Sequence, residues 1–190
     1  TRSYLVLEVA SELVGADEWP YRQARIGLRE QGAEAWSVAL FGSDGPAVID
    51  QVARGDVHVA ILNPAAPLAL ALRGKGPFAN PIPLRAITVI PSFDQLAFAV
   101  SERTGLRSLR EIRERRFPLR VSLRGQKDHS VHLVVNEVLA AAGFSLDDIV
   151  SWGGQVRYDA GLPNSPTRAG AVERGEADAV VDEAVRSWLN

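Results

Sequence analysis

The chain has 190 residues, of which 46% are hydrophobic and 23% charged, and it contains neither cysteine nor methionine. This balance is typical of a globular protein with a buried core and excludes wholesale disorder. The lack of cysteine excludes disulfides, cysteine-ligated metal centres and a cysteine nucleophile. The net charge of −2 argues against a nucleic-acid-binding protein, which would carry a basic surface. The sequence also has no run of about 18 apolar residues that could span a membrane.

Short β-rich runs alternate with helical patterns along the chain, and the alternation starts twice. In the first half, strands are predicted at residues 3–9, 35–41, 57–62 and 84–90, with helices at 21–31, 46–54 and 65–72. In the second half, strands are predicted at residues 95–100, 119–123, 148–152 and 177–182, with helices at 108–115, 130–142 and 167–174. Strand–helix–strand alternation predicts an α/β fold with mainly parallel sheets.

An internal repeat suggests how the two halves are organised. Residues 52–61 and 172–181 both read V-x-R-G followed by an acidic residue and then an apolar run. The two copies lie too far apart for a solenoid repeat and fit two similar α/β lobes in one chain. We therefore predict a first lobe at residues 1–90, a crossover or hinge at 91–95 and a second lobe at 96–190.

An ordered series of motifs resembles a known family. The series comprises residues 84–100, Gly105-Leu106-Arg107-Ser108-Leu109-Arg110-Glu111-Ile112, the strand at 120–123, a helix ending Ala141-Ala142-Gly143, Asp147-Asp148-Ile149, and the run at 174–179. It is similar to the TAXI family of substrate-binding subunits of TRAP transporters, within the type II periplasmic binding proteins. The resemblance covers roughly residues 35–190.

The resemblance implies a bilobal periplasmic binding protein without a cofactor and without catalytic activity. Its partners would be a small solute and the membrane permease subunits of a transporter, and it would be periplasmic or otherwise extracytoplasmic. Because the sequence starts at Thr1 and lacks methionine, we expect a signal peptide or another leading segment to have been removed. The family's chain crosses back to complete both lobes, so we expect this chain to be truncated at its C-terminus.

Candidate ligand-binding residues follow from a rule of open α/β sheets, in which ligands bind beyond the carboxyl ends of strands. Ser43 and Asp44 follow a predicted strand and precede a helix, where they fit either an anion site or a plain helix N-cap. Asn63 and Glu183 end the two matched strands of the repeat, although Glu183 could also cap a following helix.

The second lobe and the crossover supply the remaining candidates. Arg124, His129 and Ser130 lie between a predicted strand and helix, and Arg124 suits a two-pronged contact with a carboxylate. A solvated loop is the alternative for this segment. The other candidates are the aromatic pair of the first loop, which fits a cleft wall or ordinary packing, and two residues of the crossover: Trp19, Tyr21, Ser92 and Asp94. The three histidines do not form a metal-binding set.

The leading hypothesis is a receptor that captures a small polar solute, an amino acid or a carboxylate, and closes on it by hinge bending. Two alternatives stay open. The first is an enzyme on the same bilobal scaffold, which would need a convergent base, nucleophile or metal site that the sequence does not display. The second is the effector-sensing domain of a regulator, which an adjoining DNA-binding segment would distinguish.

Overall fold

The computed structural model describes residues 8–10, 12, 23–28, 36–41, 46–89, 91, 95–127 and 129–183. By its internal contacts the chain divides into two compact units, Thr1–Asp44 and Gly45–Asn190. The predicted lobes at residues 1–90 and 96–190, with a hinge at 91–95, stay a prediction.

The first unit contains an antiparallel hairpin. Strand β1 (Gln23–Leu28) pairs with strand β2 (Trp36–Phe41), with Gln23 opposite Phe41 and Leu28 opposite Trp36. The strand predicted at residues 35–41 is confirmed, whereas the helix predicted at 21–31 is wrong. The sequence of β1 includes a β-branched isoleucine and a glycine, which disfavour a helix interior, and pairing with β2 provides backbone hydrogen bonds instead.

The strand predicted at residues 3–9 is wrong where it can be checked. Residues 8–10 and 12 are helical, and residues 3–7 lie outside the described part of the chain.

The second unit begins with two helices that match the prediction. They are α1 (Ala47–Arg54) and α2 (Ala66–Arg73), and each is followed by a glycine in the left-handed conformation. Ile49 of α1, Ala71 of α2 and Phe78 form a small buried cluster, with Leu62 and Leu84 packed against it. This cluster anchors the loops that follow each helix.

Two strands predicted in this region are absent from the structure. Residues 57–62 and the described residues 84–89 are irregular, so the strand predictions there are wrong. Their β-prone side chains are open to solvent, with Ile61 84% and Ile87 80% exposed. Strand propensity alone does not form a strand, because an extended segment also needs a neighbour to receive its backbone hydrogen bonds.

The rest of the second unit forms a four-stranded sheet with helices. In chain order the elements are β3 (Ala97–Val100), a 3₁₀ turn (Glu102–Thr104), α3 (Leu109–Glu114), β4 (Arg120–Arg124), α4 (Ser130–Ala142), α5 (Leu146–Ser151), β5 (Gln155–Asp159), α6 (Ala169–Glu173) and β6 (Ala179–Asp182). The strand order is β3-β6-β4-β5. Strand β4 is parallel to both β5 and β6, and β3 is antiparallel to β6. The predicted mixed α/β fold with a mainly parallel sheet is confirmed for this unit.

One predicted strand of this unit is a helix. Residues 146–151 form α5, because Ser145 and Asp148 build a reciprocal capping box in which each side chain binds the other residue's backbone N–H. The strand expected at residues 148–152 is therefore wrong, and the strand that pairs with β4 comes later, at Gln155–Asp159.

The core of the second unit lies between the sheet and its helices. It contains Leu106, Ile112, Leu119, Val121, Leu123, Val131, Val135, Leu139, Phe144, Ile149, Ala179 and Val181, all buried. Three of these, Val131, Val135 and Leu139, recur every four residues along α4 and give that helix one apolar face. In the described part of the chain, no helix is both long enough and apolar enough to cross a bilayer.

The internal repeat has the same local geometry in both copies up to the acidic residue. Gly55 and Gly175 both adopt positive φ, at 81° and 76°. Each preceding arginine binds the acid two residues along, with Arg54 Nε 3.0 Å from Asp56 and Arg174 Nε 2.8 Å from Glu176. The copies differ afterwards, since the second enters β6 and the first does not form a strand.

Candidate functional site

Strands β4 and β6 carry charged residues at matching positions. Val121 lies opposite Ala179 and Ser122 opposite Val180, so the same parallel register sets Arg120 beside Asp178 and Arg124 beside Asp182. We call the end of the sheet at Arg120 and Asp178 the amino edge. We call the opposite end, where β4, β5 and β6 finish at Arg124, Asp159 and Asp182, the carboxyl edge.

The amino edge is held by a two-pronged ion pair. Arg120 donates from Nε to Asp178 Oδ2 at 2.9 Å and from Nη2 to Oδ1 at 2.6 Å, and its Nη1 donates to the Gly175 carbonyl at 2.7 Å. The hydrogen bonds from Arg120 lower the pKa of Asp178 and raise that of Arg120, although partial burial opposes both shifts. This pair joins the starts of β4 and β6 and has a structural role.

The carboxyl edge is centred on a buried carboxylate between two arginines. Asp182 Oδ1 accepts from Arg124 Nε at 3.0 Å and from the Glu183 backbone N–H at 2.8 Å, and Arg124 Nη2 forms an ion pair with the same oxygen at 2.8 Å. Asp182 Oδ2 accepts from Arg168 Nη1. Burial alone raises the pKa of Asp182, but the hydrogen bonds and charges of Arg124 and Arg168 outweigh it and hold that pKa below its ordinary value. Asp182 is therefore ionised and locks both guanidinium groups in place.

Arg168 is fully buried and all five of its N–H donors have acceptors. Besides Asp182, it donates to the Ser122 hydroxyl at 3.3 Å and to the carbonyls of Gly161, Ser122 and Val181 at 3.4, 3.4 and 3.0 Å. Such saturation is what allows a guanidinium to be buried. Arg168 therefore serves as a structural support beneath the carboxyl edge.

A further link ties β5 into the same network. The Ser122 hydroxyl donates to Asp159 Oδ2 at 2.8 Å, and Asp159 Oδ1 accepts from Arg157 Nη2 at 3.1 Å. Three arginines, Arg124, Arg157 and Arg168, thus meet three acids, Asp159, Asp182 and Glu183, so the network is balanced in formal charge.

His129 stands at the start of α4 and completes the site. Its Nδ1 accepts the Val131 backbone N–H at 3.1 Å and so caps the helix. Its Nε2 lies 2.9 Å from Arg124 Nη1 and 3.5 Å from Glu183 Oε1. Glu183 Oε1 is also 3.5 Å from Arg124 Nη1. Arg124, His129 and Glu183 therefore converge on one point.

A cationic and aromatic surface adjoins this point. Lys127 Nζ lies 4.8 Å from the centre of the Tyr158 ring, and His132 packs edge-on against that ring at 5.5 Å. His132 Nε2 lies 2.9 Å from the Gln126 carbonyl oxygen. Burial lowers the pKa of His132, and hydrogen bonds to backbone carbonyls oppose part of that shift. Tyr158 is 42% exposed, so part of its ring is accessible to solvent beside the charged groups.

The structure brings together four of the predicted site residues. Arg124, His129 and Glu183 are in mutual contact, and Ser130 is the buried first residue of α4 beside His129. Asn63 is exposed at a cis peptide bond to Pro64 and does not end a strand. The other predicted site residues lie outside the described part of the chain: Trp19, Tyr21, Ser43, Asp44, Ser92 and Asp94.

Sequence reasoning missed the supports of the site. Asp182 as the central carboxylate could have been found, because Arg120 and Arg124 have the same four-residue spacing as Asp178 and Asp182. Arg168, Ser122 and Asp159 gave no comparable signal, since they meet only through the pairing of β4 with β5 and β6. Among the described residues, no group of three or more histidine, aspartate or glutamate side chains is arranged to hold a metal ion.

Acidification is expected to destabilise this sheet through Asp178 and Asp182. Both have a folded-state pKa below the ordinary value, so their contribution to stability is present above about pH 4 and is lost as the pH falls through the folded-state pKa values. The free energy of unfolding should change by at most about 1.4 kcal/mol per pH unit for each proton that unfolding takes up. Guanidinium chloride unfolding between pH 6 and about pH 2 measures it. Asp178→Asn should flatten the pH dependence, and an unchanged slope in that variant would contradict the role given to Asp178.

No family model, curated protein or solved structure matches this chain. The fold and the site themselves define a mixed α/β protein with a mostly parallel four-stranded sheet and a charged cluster at its carboxyl edge. The resemblance to TAXI receptors stays a prediction from the sequence motifs.

Proposed function

We propose that this protein is an extracytoplasmic solute-binding receptor that captures a small carboxylate or amino acid at the carboxyl edge and delivers it to a membrane permease. The observation that supports this most is the convergence of Arg124, His129 and Glu183 beyond the ends of parallel strands. Open α/β sheets bind ligands at this end. The proposal includes the two-lobed architecture and hinge closure expected from the sequence.

The chemistry of this edge suits a carboxylate. The Arg124 side chain is 22% exposed, and Asp182 holds its Nε and Nη2. The position of Nη1 is therefore fixed before a ligand binds. Arginine forms short, charge-assisted hydrogen bonds with carboxylates. The helix cap fixes the His129 ring next to that atom. A preorganised pair of polar groups loses little conformational freedom on binding.

The neighbouring surface suits the remainder of an organic solute. Tyr158 offers an exposed ring for an aliphatic or cationic part, and Glu183 supplies a negative charge that could meet an ammonium group. Groups of both signs within one cluster favour a zwitterion or a small organic acid over an uncharged sugar.

A ligand screen and the substitution of Arg124 together test the proposal. Intact protein is screened by thermal shift against amino acids and small mono- and dicarboxylic acids, and each ligand found is titrated by calorimetry. Arg124→Gln is expected to weaken binding about 30-fold or more, corresponding to about 2 kcal/mol, because a charge-assisted bond to the carboxylate is lost.

Arg174→Gln is the matched control, because Arg174 is exposed and pairs with Glu176 near the start of β6, away from the carboxyl edge. The Arg174→Gln variant should bind each ligand with the affinity of the unmodified protein. The proposal fails if no compound raises the melting temperature, or if Arg124→Gln binds the ligand as tightly as the control does.

A further inference from the structure

A lysine without an acidic partner stands beside the carboxyl edge. Lys127 is exposed and lies in the loop between β4 and α4, three residues after Arg124. Arg124, Arg157 and Arg168 each pair with an acid. In the part of the chain that the structure describes, no acid pairs with the Lys127 ammonium group, which instead lies 4.8 Å from the centre of the Tyr158 ring. This distance is within the range of a cation–π interaction, about 6 Å.

The ring and the loop that present Lys127 are both held in place. Tyr158 is the last residue but one of β5, and His132 of α4 packs edge-on against its ring at 5.5 Å. The Gln126 carbonyl oxygen, next to Lys127 in the chain, lies 2.9 Å from His132 Nε2. The same carbonyl accepts the His129 backbone N–H at 3.2 Å. The loop therefore keeps the base of the Lys127 side chain at a fixed place beside the ring.

Lys127 and Tyr158 offer hydrogen-bonding groups that none of the described residues uses. The ammonium group has three donors, and the Tyr158 hydroxyl both donates and accepts. Because the ring already carries the Lys127 cation, a second cation is disfavoured there and an oxyanion is favoured. The Cα atoms of Arg124 and Lys127 are three residues apart, which separates them by at most about 11 Å. One small solute can therefore reach both cations.

We propose that Lys127 and Tyr158 form a second binding position, which selects solutes with an acidic group at the end remote from the carboxylate that Arg124 binds. This inference rests on the proposed function and names the class of solute. It narrows that class from amino acids and carboxylates in general to small acids with two acidic groups. The second group is an oxyanion such as a carboxylate or a sulfonate, because a lysine ammonium group binds oxyanions as a point charge.

Three acids that differ only at one end test this inference. Butyrate, succinate and 3-sulfopropionate each have a carboxylate followed by two methylene groups, and they end in a methyl, a carboxylate and a sulfonate group. Each is titrated into the protein by calorimetry at constant ionic strength set with sodium chloride. We expect the dissociation constant of succinate, of 3-sulfopropionate or of both to be at least about tenfold lower than that of butyrate. The two doubly acidic probes distinguish a carboxylate from a sulfonate position.

Substitution of the two lysines assigns the preference to Lys127. Lys127→Gln should raise the dissociation constant of the preferred doubly acidic probe about tenfold and leave that of butyrate unchanged, because the methyl end of butyrate gains nothing from the ammonium group. Lys75→Gln is the matched control, because Lys75 is exposed, is the only other lysine of the chain and carries the same charge. It should change neither constant. Lys127→Arg keeps the positive charge and should keep most of the preference.

The outcomes separate this inference from the proposed function. If butyrate binds, Arg124→Gln weakens it and the doubly acidic probes bind no better, the inference is overturned while the proposed function stands. If a doubly acidic probe depends on Lys127 but not on Arg124, the second position stands and the role given to Arg124 fails. An equal loss in Lys75→Gln overturns the inference. So does the absence of binding by all three acids, and the wider solute screen then decides on the proposed function alone.

Discussion

Replacing Asp182 by alanine is expected to destabilise the unit Gly45–Asn190 by about 3–5 kcal/mol, because it leaves the fully buried guanidinium of Arg168 without its counter-charge. Arg124 loses its fixed partner in the same step. For a unit of this size the melting temperature should fall by about 10 °C. Guanidinium chloride unfolding followed by circular dichroism gives the free energy of unfolding directly.

A double variant distinguishes loss of a charge partner from simple loss of packing. Arg168→Met replaces the buried cation by an apolar side chain of similar length. If the uncompensated charge is the cause, adding Arg168→Met to Asp182→Ala should recover part of the stability, and the two changes will not be additive. Additive losses, or a loss below about 1 kcal/mol for Asp182→Ala alone, would contradict the central position given to Asp182.

Gly154→Ala is expected to reduce the free energy of unfolding by about 3 kcal/mol, because an added Cβ would clash with the Leu119 carbonyl oxygen and would lie 2.8 Å from the Ile149 carbonyl oxygen. Both contacts are with backbone, which cannot turn aside as a side chain can. Gly154 donates to Ile149 at 2.9 Å, and Gln155 donates to Leu119 at 3.0 Å. A displaced Gly154 would therefore disturb the start of β5 beside β4.

Gly55→Ala is the matched control for that substitution. Gly55 has a positive φ of 81° and nothing within 4 Å of an added Cβ, so its substitution carries only the strain of the left-handed conformation, about 1–2 kcal/mol. Chemical unfolding of both variants compares them. If Gly154→Ala costs no more than Gly55→Ala, then the close approach of β5 to the preceding backbone is not a constraint on the fold.

The sequence contained enough information for the helices of the second unit and for one part of the site. Val131, Val135 and Leu139 share a helical face and Gly143 ends it, so α4 follows from local pattern alone. The rule that ligands meet the carboxyl ends of parallel strands led to Arg124, His129 and Glu183. The bounds of α4 and the choice of these candidates depend on periodicity and chain direction, which one sequence displays, and their role in binding stays a prediction.

The remaining features depend on contacts between distant segments. Residues 57–62 and 84–89 have the composition of strands, but among the described residues they have no strand partner. The helix α5 replaced a predicted strand because one capping box outweighed a short apolar run. Arg168 reaches Ser122 and Asp182 only because β6 lies next to β4 in the sheet, and sequence order would place β5 between them.

The most direct test of the central claim, that the carboxyl edge is the solute site, is amide chemical-shift mapping by NMR. The protein is titrated with a ligand from the solute screen, and the backbone N–H signals of the two sheet edges are compared. We predict saturable shifts at Gly125, Val131 and Glu183 and little change at Arg120 and Asp178. Saturable shifts confined to the amino edge or to residues remote from both edges would contradict the claim, as would a screen in which no amino or organic acid produces any saturable shift.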